Sequence, residues 1–494
     1  MKSGQPKGQK QILVIVAGVL AAILIILIPN TSEAQLRVST SSTKKEVNGR
    51  KTTINYKDWQ KEYKIQFEGE FELSDNDEDI IKVSRGGYFE ISRSAFGTRR
   101  KVIIESDNGN ELVKEYFVGR SRVPFEPEGR EWLAGVLPDI VRSTTIGAES
   151  RVDRFYRKGG VDGVLDEVNE LEGDYLKHHY LNIMLDKQEL SDEDLAKVII
   201  EGSDEIGSDY YISELLKNNE RQLLNSETTL KAYIEASEEI DSDHYRAEVL
   251  KKALRNDDLS DDLLEAVLES ARDVDSDHYL TEILRETLDE RELNDDLISI
   301  VIKAARSIGS DHYQSQLFRD ALRHDNISSN SYWEIVDAAG EIGSDHYKTE
   351  LFKEILEEDM EEDVLVKMLI NIDEDISSDH YAHILLSEII SNQNLGIESL
   401  RAYIDAAEGV SSDHYSSQII RQAADHADMD KDLVMALLEI CTDIDSDHYL
   451  SEALISLASF INDSQDSDLR AVYREVARDI GSDTYYGRAM KALD

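Results

Sequence analysis

Apolar positions follow two different rules along the chain. From about Leu36 to Phe125 they alternate with polar ones, in runs at Thr52–Tyr56, Tyr63–Leu73, Tyr88–Ser92, Lys101–Ser106 and Glu111–Val118. That is the period of strands with one buried face. Asp107-Asn108-Gly109 sits between the last two runs as a hairpin turn signal. One small antiparallel β-domain is therefore expected over residues 35–125. From Glu128 to Asn169 the spacing turns helical, with Trp132, Leu133, Val136, Leu137, Ile140 and Val141 on one face. A helical connector over 126–170 is expected to cover the open end of the C-terminal array, since a terminal repeat otherwise exposes its apolar face.

Residues 171–494 repeat. Ser-Asp-His-Tyr returns every 34 residues, carrying His244, His278, His312, His346, His380, His414 and His448. Ser208-Asp209-Tyr210-Tyr211 precedes this run with Tyr in the His slot, His179-Tyr180 lies 31 residues further back, and Ser482-Asp483-Thr484-Tyr485 follows the last copy after 36. Ten units are readable, with irregular outer ones as caps, and a decayed eleventh begins near Ile146-Gly147-Ala148-Glu149. Each unit reads as two short helices. In one copy Ser276 is an N-cap, Asp277 favours the positive helix end, and Tyr279, Ile283, Leu284 and Leu288 recur at helical spacing. Asn294 then caps a second helix bearing Leu297, Ile298, Val301, Ala305 and Ile308. Gly309 and its equivalents Asp241, Asp275 and Ser377 fit a left-handed stop between units. No Pro occurs after Pro138, and the Trp-Leu-Gly-Tyr pattern of tetratricopeptide repeats is missing. The expected fold is mainly α: a HEAT-like αα-solenoid of about ten repeats, on the order of 90 Å long if helices pack roughly 8–10 Å apart.

The N-terminus bears on compartment. Met1–Lys10 holds Lys2, Lys7 and Lys10 and no acid, and Ile12–Ile28 is an unbroken apolar run before Pro29. Ser32-Glu33-Ala34 before Gln35 fits a signal-peptide cleavage site, whereas the length of the run fits a retained anchor. Either reading of residues 1–34 sends residues 35–494 across the membrane, to an extracytoplasmic place in the bacterial envelope, periplasmic or surface. With Cys441 the single cysteine, no internal disulfide forms.

Several motifs together resemble a known region. They are Gly86-Gly87-Tyr88-Phe89-Glu90-Ile91, Arg99-Arg100-Lys101-Val102, Glu115-Tyr116-Phe117-Val118, Trp132-Leu133-Ala134-Gly135-Val136-Leu137-Pro138, Ile146-Gly147-Ala148-Glu149-Ser150-Arg151-Val152 and Gly159-Gly160-Val161 before the repeats. The chain after residue 50 resembles the extracytoplasmic region attached to some bacterial Bla-regulator-type membrane metallopeptidases and found alone in proteins of unknown function. The resemblance implies location and architecture. The peptidase part, with its His-Glu-x-x-His zinc motif, is absent, so no catalytic residue is carried over.

Candidate chemistry centres on the histidines. Neighbouring Asp and His on a helix point in different directions, and successive repeats space the histidines by roughly 10 Å, too far for one ion with nitrogen bonds of about 2.0–2.1 Å. Tyr210 and Thr484 occupy the His slot without upsetting the period. A Tyr follows in every copy: Tyr180, Tyr211, Tyr245, Tyr279, Tyr313, Tyr347, Tyr381, Tyr415, Tyr449 and Tyr485. The tyrosines are thus expected as repeat core and the histidines as a tolerant structural position. A charged His beside a helix N-terminus is disfavoured, so a loss of stability on acidification is the functional alternative. Asp443-x-Asp445-x-Asp447 and Asp428-x-Asp430-x-Asp432 begin like calcium loops, but His448 and Leu433 stand where Gly is required. Both are expected to serve as helix caps.

With 54 basic against 102 acidic residues the net charge is −48, which repels nucleic acid and anionic headgroups. It favours a basic protein or peptide partner, with weak divalent-cation binding. Walker, Gly-x-Ser-x-Gly and dinucleotide motifs are missing. Arg99-Arg100-Lys101 reads as a solvated strand end, and Gly86-Gly87 and Gly159-Gly160 as turns. No catalytic, cofactor-binding or metal-ligating residue and no cofactor is expected. The function expected is a non-enzymatic envelope scaffold. The alternatives are a pH- or divalent-cation-responsive sensor module of a membrane signalling system and, third, an unrecognised envelope enzyme.

Overall fold

The computed structural model describes residues 42–48, 51–57, 62–95, 97–107, 111–256, 259–290, 295–324, 327–426 and 429–493. The expected export segment, Asn108-Gly109, Asn294 and Asp428 lie outside them. No helix among the described residues is long and apolar enough to cross a membrane.

Nine strands come first: β1 (Ser42–Asn48), β2 (Lys51–Lys57), β3 (Glu62–Glu68), β4 (Phe71–Leu73), β5 (Ile80–Val83), β6 (Tyr88–Ala95), β7 (Thr98–Ser106), β8 (Leu112–Val118) and β9 (Ser121–Val123). Seven form one antiparallel sheet in the order β1-β2-β3-β6-β7-β8-β9, and β4 and β5 pair separately. Register explains the buried face. Ile54, Ile65, Ile91, Val102 and Tyr116 lie opposite one another across five strands, and all are buried. The single strand expected over Tyr63–Leu73 is two, because Gly69 turns the chain at φ +82°. Strands β7 and β8 pair antiparallel, and the Asp107 amide donates to the Glu111 carbonyl at 2.9 Å while the Glu111 amide donates to Asp107 Oδ1 at 2.8 Å.

Two helices come next, and they divide the role expected of one connector. In α1 (Arg130–Ser143) the apolar face of Leu133, Val136, Leu137, Ile140 and Val141 packs on the sheet rather than on the repeats, with Trp132 half-buried against Tyr116. The sheet has one open apolar face, and α1 covers it. It is α2 (Ala148–Asn169), bent where Gly160 takes φ +63°, that places Ala148, Val152, Val161, Val164 and Val168 in the core of the repeats. The decayed unit expected near Ile146 is this bent helix.

The array beyond α2 stacks nine helix pairs and a last unpaired helix among the described residues. First helices pack on first helices and second on second, giving two layers around one continuous core. The second helices begin at side-chain caps such as Ser191, Ser226, Ser328 and Asp430. The described residues of the tenth unit form its first helix, Asp483–Leu493.

Two local expectations change. No left-handed stop separates the units: positive φ among the described residues is confined to positions elsewhere, and Gly309 is not among them. The loop is held by a buried aliphatic residue (Ile240, Val274, Ile308, Ile342) and by its own amide hydrogen bonds, so Gly, Asp and Ser serve equally at that slot. A Cβ on Gly309 meets only Asp277 carboxylate oxygens at ordinary contact distance, 3.7 Å and 3.9 Å. Gly309→Ala is therefore expected to raise stability by about 0.4–1 kcal/mol by restricting the unfolded chain, read from the denaturant midpoint; a loss would show a strained backbone there. The motif serines Ser242, Ser310, Ser344, Ser378, Ser412 and Ser446 stand at the N-cap with extended backbone, but their side chains make no capping bond.

Candidate functional site: the ladder edge and the joint

Each first helix starts at its motif Asp, which puts the His at the rim and the Tyr against the core. His244 is half-exposed, its ring 5.1 Å from Tyr245 and 5.6 Å from Tyr279 of the next unit. The same arrangement recurs at His278, His312, His346, His380, His414 and His448, with every ring-centroid distance between 5.0 and 6.2 Å. The result is an unbroken stack of alternating imidazole and phenol rings, closed at the far end by Tyr485 beside Thr484. Tyr210 continues it in the other direction, 5.1 Å from Tyr211 and 5.9 Å from Tyr245.

The first unit is registered differently from the sequence expectation. Its helix begins at Asp174, and Tyr175 takes the His slot, 6.0 Å from Tyr211. Tyr180 is fully buried but stands further along that helix, outside the ladder. The other nine tyrosines (Tyr211 through Tyr485) are half-buried and pack on the core from its edge. The spacing from Asp174 to Asp209 is 35; His179-Tyr180 matches the motif by residue type alone, since it lies only 31 residues before Tyr210-Tyr211.

The motif Asp has a role that its sequence context did not reveal. Its carboxylate accepts a backbone amide from the loop of the next unit: Asp277 from Gly309 (2.9 Å), Asp311 from Gly343 (3.1 Å), Asp345 from Ser378 (2.9 Å), Asp379 from Ser411 (3.2 Å) and Asp447 from Gly481 (2.8 Å). Asp243 and Asp413 each accept two. Asp174 and Asp209 do the same at the start of the array. A second set of contacts runs along the first helices, where Lys217 meets Glu248 (2.7 Å), Lys251 meets Glu282 (2.8 Å) and Arg285 meets Asp320 (2.6 Å), each one unit on. These pairs are part-buried at the surface, and surface ion pairs contribute on the order of 0.2–1 kcal/mol each. They set register more than stability.

The joint between sheet and array is built on Arg151, which is 1% exposed. Its guanidinium donates to Asp77 Oδ2 (2.9 Å), the Val141 carbonyl (3.1 Å), Tyr180 Oη and Glu167 Oε1. Arg154 adds a bond to Asp77 Oδ1 (2.6 Å) and Arg142 holds both oxygens of Glu167 (3.0 Å each). Burial opposes the charge on Arg151, but Tyr180, Asp77 and Glu167 together raise its pKa above that of an ordinary arginine. Asp77 comes from the turn between β4 and β5, Glu167 from α2 and Tyr180 from the first repeat. One side chain ties three parts of the molecule.

Other ionisable groups are buried without converging. Lys348 is buried and donates to the Gly340 and Asp375 carbonyls at 3.1 Å, with its pKa lowered by burial. Burial pushes the Cys441 thiol up to about 12, which leaves it un-ionised at neutral pH. Asp430 caps a helix through the Leu433 amide and Asp447 accepts from Gly481, so the calcium-like runs serve backbone amides. No cluster of three or more His, Cys, Asp or Glu among the described residues has the geometry to hold a metal. Arg99 and Lys101 both face Glu90, at 3.9 and 3.7 Å.

Two concave places adjoin the ladder. A cleft of about 680 Å³ between sheet and array is lined by Lys45, Phe67, Phe71, Glu149, Tyr175 and His179. A smaller groove of about 220 Å³ lies between units, among His312, Gln316, Arg319, Arg323, His346 and Glu350. Charge is divided between the two regions of the chain. Residues 1–170 hold equal numbers of acidic and basic side chains, so the entire net charge of −48 resides in residues 171–494.

No protein-family model matches the sequence, and no curated protein matches it. Among solved structures, the chain aligns with one described as "Computational Design of Self-Assembling Cyclic Protein Homooligomers", at 9% identity over 65% of this chain and 96% of that one, with a TM-score of 0.11. It also aligns with a "Circular tandem repeat protein with novel repeat topology and enhanced subunit contact surfaces", at 13% identity over 74% and 78% of the two chains, with a TM-score of 0.14. The fold itself is a helical repeat array preceded by a small antiparallel sheet.

Proposed function

We propose that this protein is a non-enzymatic scaffold of the bacterial cell envelope, whose HEAT-like solenoid offers an acidic surface to a basic protein or peptide partner. The observation that carries this reading is the placement of charge: the head is neutral and the array holds all of the −48. The polar motif residues are meanwhile engaged in holding one unit to the next. The apolar run at Ile12–Ile28 and the resemblance to an extracytoplasmic region support an envelope location, with the sheet nearest the membrane if the anchor is retained. Nucleic acid is excluded as a partner by charge. Affinity capture from envelope extract, with the full chain against an unrelated acidic solenoid, tests the reading. A saturable basic partner, released by salt and lost when acidic side chains on one face are neutralised, is the expected result. Equal recovery on both solenoids overturns it.

A pH-responsive module is the second reading, favoured by three histidines outside the ladder. Burial lowers the pKa of His178, His179 and His383. His178 faces Tyr211, Glu214 and His179, and both its ring nitrogens are buried without a hydrogen-bond partner. His179 faces Tyr175, Glu149 and Lys45, and His383 faces Tyr415, Ser387, Gln418, His380 and His414. Each takes up a proton more readily unfolded than folded, so stability falls as pH drops below about 6.5. The ladder histidines face other charges than the helix end: Glu248 lies 3.9 Å from His244 and Glu282 lies 3.6 Å from His278. Replacing His178, His179 and His383 with Asn is expected to flatten the stability difference between pH 7.5 and 5.5 relative to wild type. Denaturant unfolding at the two pH values reads the outcome, and an unchanged slope assigns any pH response to other groups.

A further inference from the structure

We infer that the His–Tyr ladder is the docking track for an extended basic polypeptide in the polyproline II conformation, with cationic side chains at every third position. The inference rests on the scaffold reading and names the chemistry of its partner. Three observations carry it. First, the ladder is a continuous aromatic edge whose imidazoles are half-exposed, 51% at His244 and 52% at His278. It continues into the exposed rings of Tyr210 and Tyr175. Aromatic faces attract guanidinium and ammonium groups. Second, the ladder runs the length of the part of the chain that carries the entire net charge of −48, so the field over it selects cations.

Third, the spacing selects a backbone. The ring path His244–Tyr279–His278 has legs of 5.6 and 5.1 Å, which bounds successive imidazoles at about 11 Å, and helix packing sets the repeat at roughly 8–10 Å. A polyproline II chain rises about 3.1 Å per residue with three residues per turn, so every third side chain returns to the same face after roughly 9.3 Å. A β-strand alternates faces at every residue, so every third side chain points away. Polyproline II therefore matches both the rise and the face of the array. It also leaves its backbone amides free of internal bonds and is stiff enough to keep register over several units.

Two labelled peptides of identical composition test this against the full-length protein by fluorescence anisotropy. One carries about five arginines at every third position among prolines, and the other carries them in adjacent pairs. At roughly two- to fivefold per exposed cation–π contact, the periodic peptide is expected to bind about tenfold or more tighter. That advantage should vanish in a His278→Thr/His312→Thr/His346→Thr variant, which uses the residue that Thr484 already places in this slot. Circular dichroism checks that the variant keeps its helices. Equal affinity for both peptides overturns the register while leaving a charge-driven scaffold standing. Absence of binding by either, at low salt, overturns the track and the basic-partner reading together.

Discussion

Replacing Arg151 with Met is expected to destabilise the joint between sheet and array by about 3–5 kcal/mol, because it strands buried carboxylates without their counter-charge. The guanidinium reaches four acceptors on three parts of the molecule, among them Asp77 and Glu167. Arg154 keeps one contact to Asp77 and Arg142 two to Glu167, which places the expected value at the lower end of that range. Arg151→Lys recovers little, since a single ammonium cannot bond Asp77, Glu167, Tyr180 and the Val141 carbonyl from one position. Hydrogen exchange followed by segment shows the effect directly. Strands β2 to β8 and α1 should lose protection at lower denaturant than residues 209–476, which exchange as in wild type. Uniform loss over the whole chain would show that Arg151 serves the array rather than the joint.

This joint was half-legible in the sequence. Ile146-Gly147-Ala148-Glu149-Ser150-Arg151-Val152 stood out as a motif, but its charged member announces no partner, since Asp77 lies 74 residues away. Pairing across that distance is set by how the sheet docks, which no local pattern encodes. The strands themselves were readable because alternation is local, and Gly69 alone divided one run into two. The apolar face of α1 was readable for the same reason, though neither its end at Ser143 nor its target was: an apolar helix face states that it will be buried, not against which neighbour. In the array, the period located every unit whose first helix starts between Asp209 and Asp483. The first was misregistered because its His-Tyr pair lies outside the repeat slot. The Asp was the better marker, present at Asp174, Asp209, Asp243 and every later unit through Asp483, where neither the His nor the Tyr is.

Asp311→Ala puts that marker to the test and is expected to weaken the array by about 1–2 kcal/mol at one interface. Two contributions combine. The carboxylate accepts the Gly343 amide at 3.1 Å, a hydrogen bond to a charged acceptor, and it sits in the first turn of Asp311–Leu322, where a negative charge favours the helix end. Water can reach the freed amide, because the contact is exposed, and this keeps the loss below that of a buried pair. Asp311→Asn retains an acceptor without the charge and should fall between Ala and wild type. His312→Thr, one residue on, should change stability by less than about 0.5 kcal/mol. The order Ala, Asn, wild type follows from the geometry; equal effects of Asp311→Ala and His312→Thr would instead make the aromatic stack the element that holds the units. Because each unit touches only its neighbours, weakening one interface lowers the cooperativity of the whole. The Asp311→Ala protein should therefore unfold over a broader denaturant range, with exchange protection failing first on either side of the Ser310–Ser344 boundary, while a variant with the loss spread evenly would keep a single sharp transition.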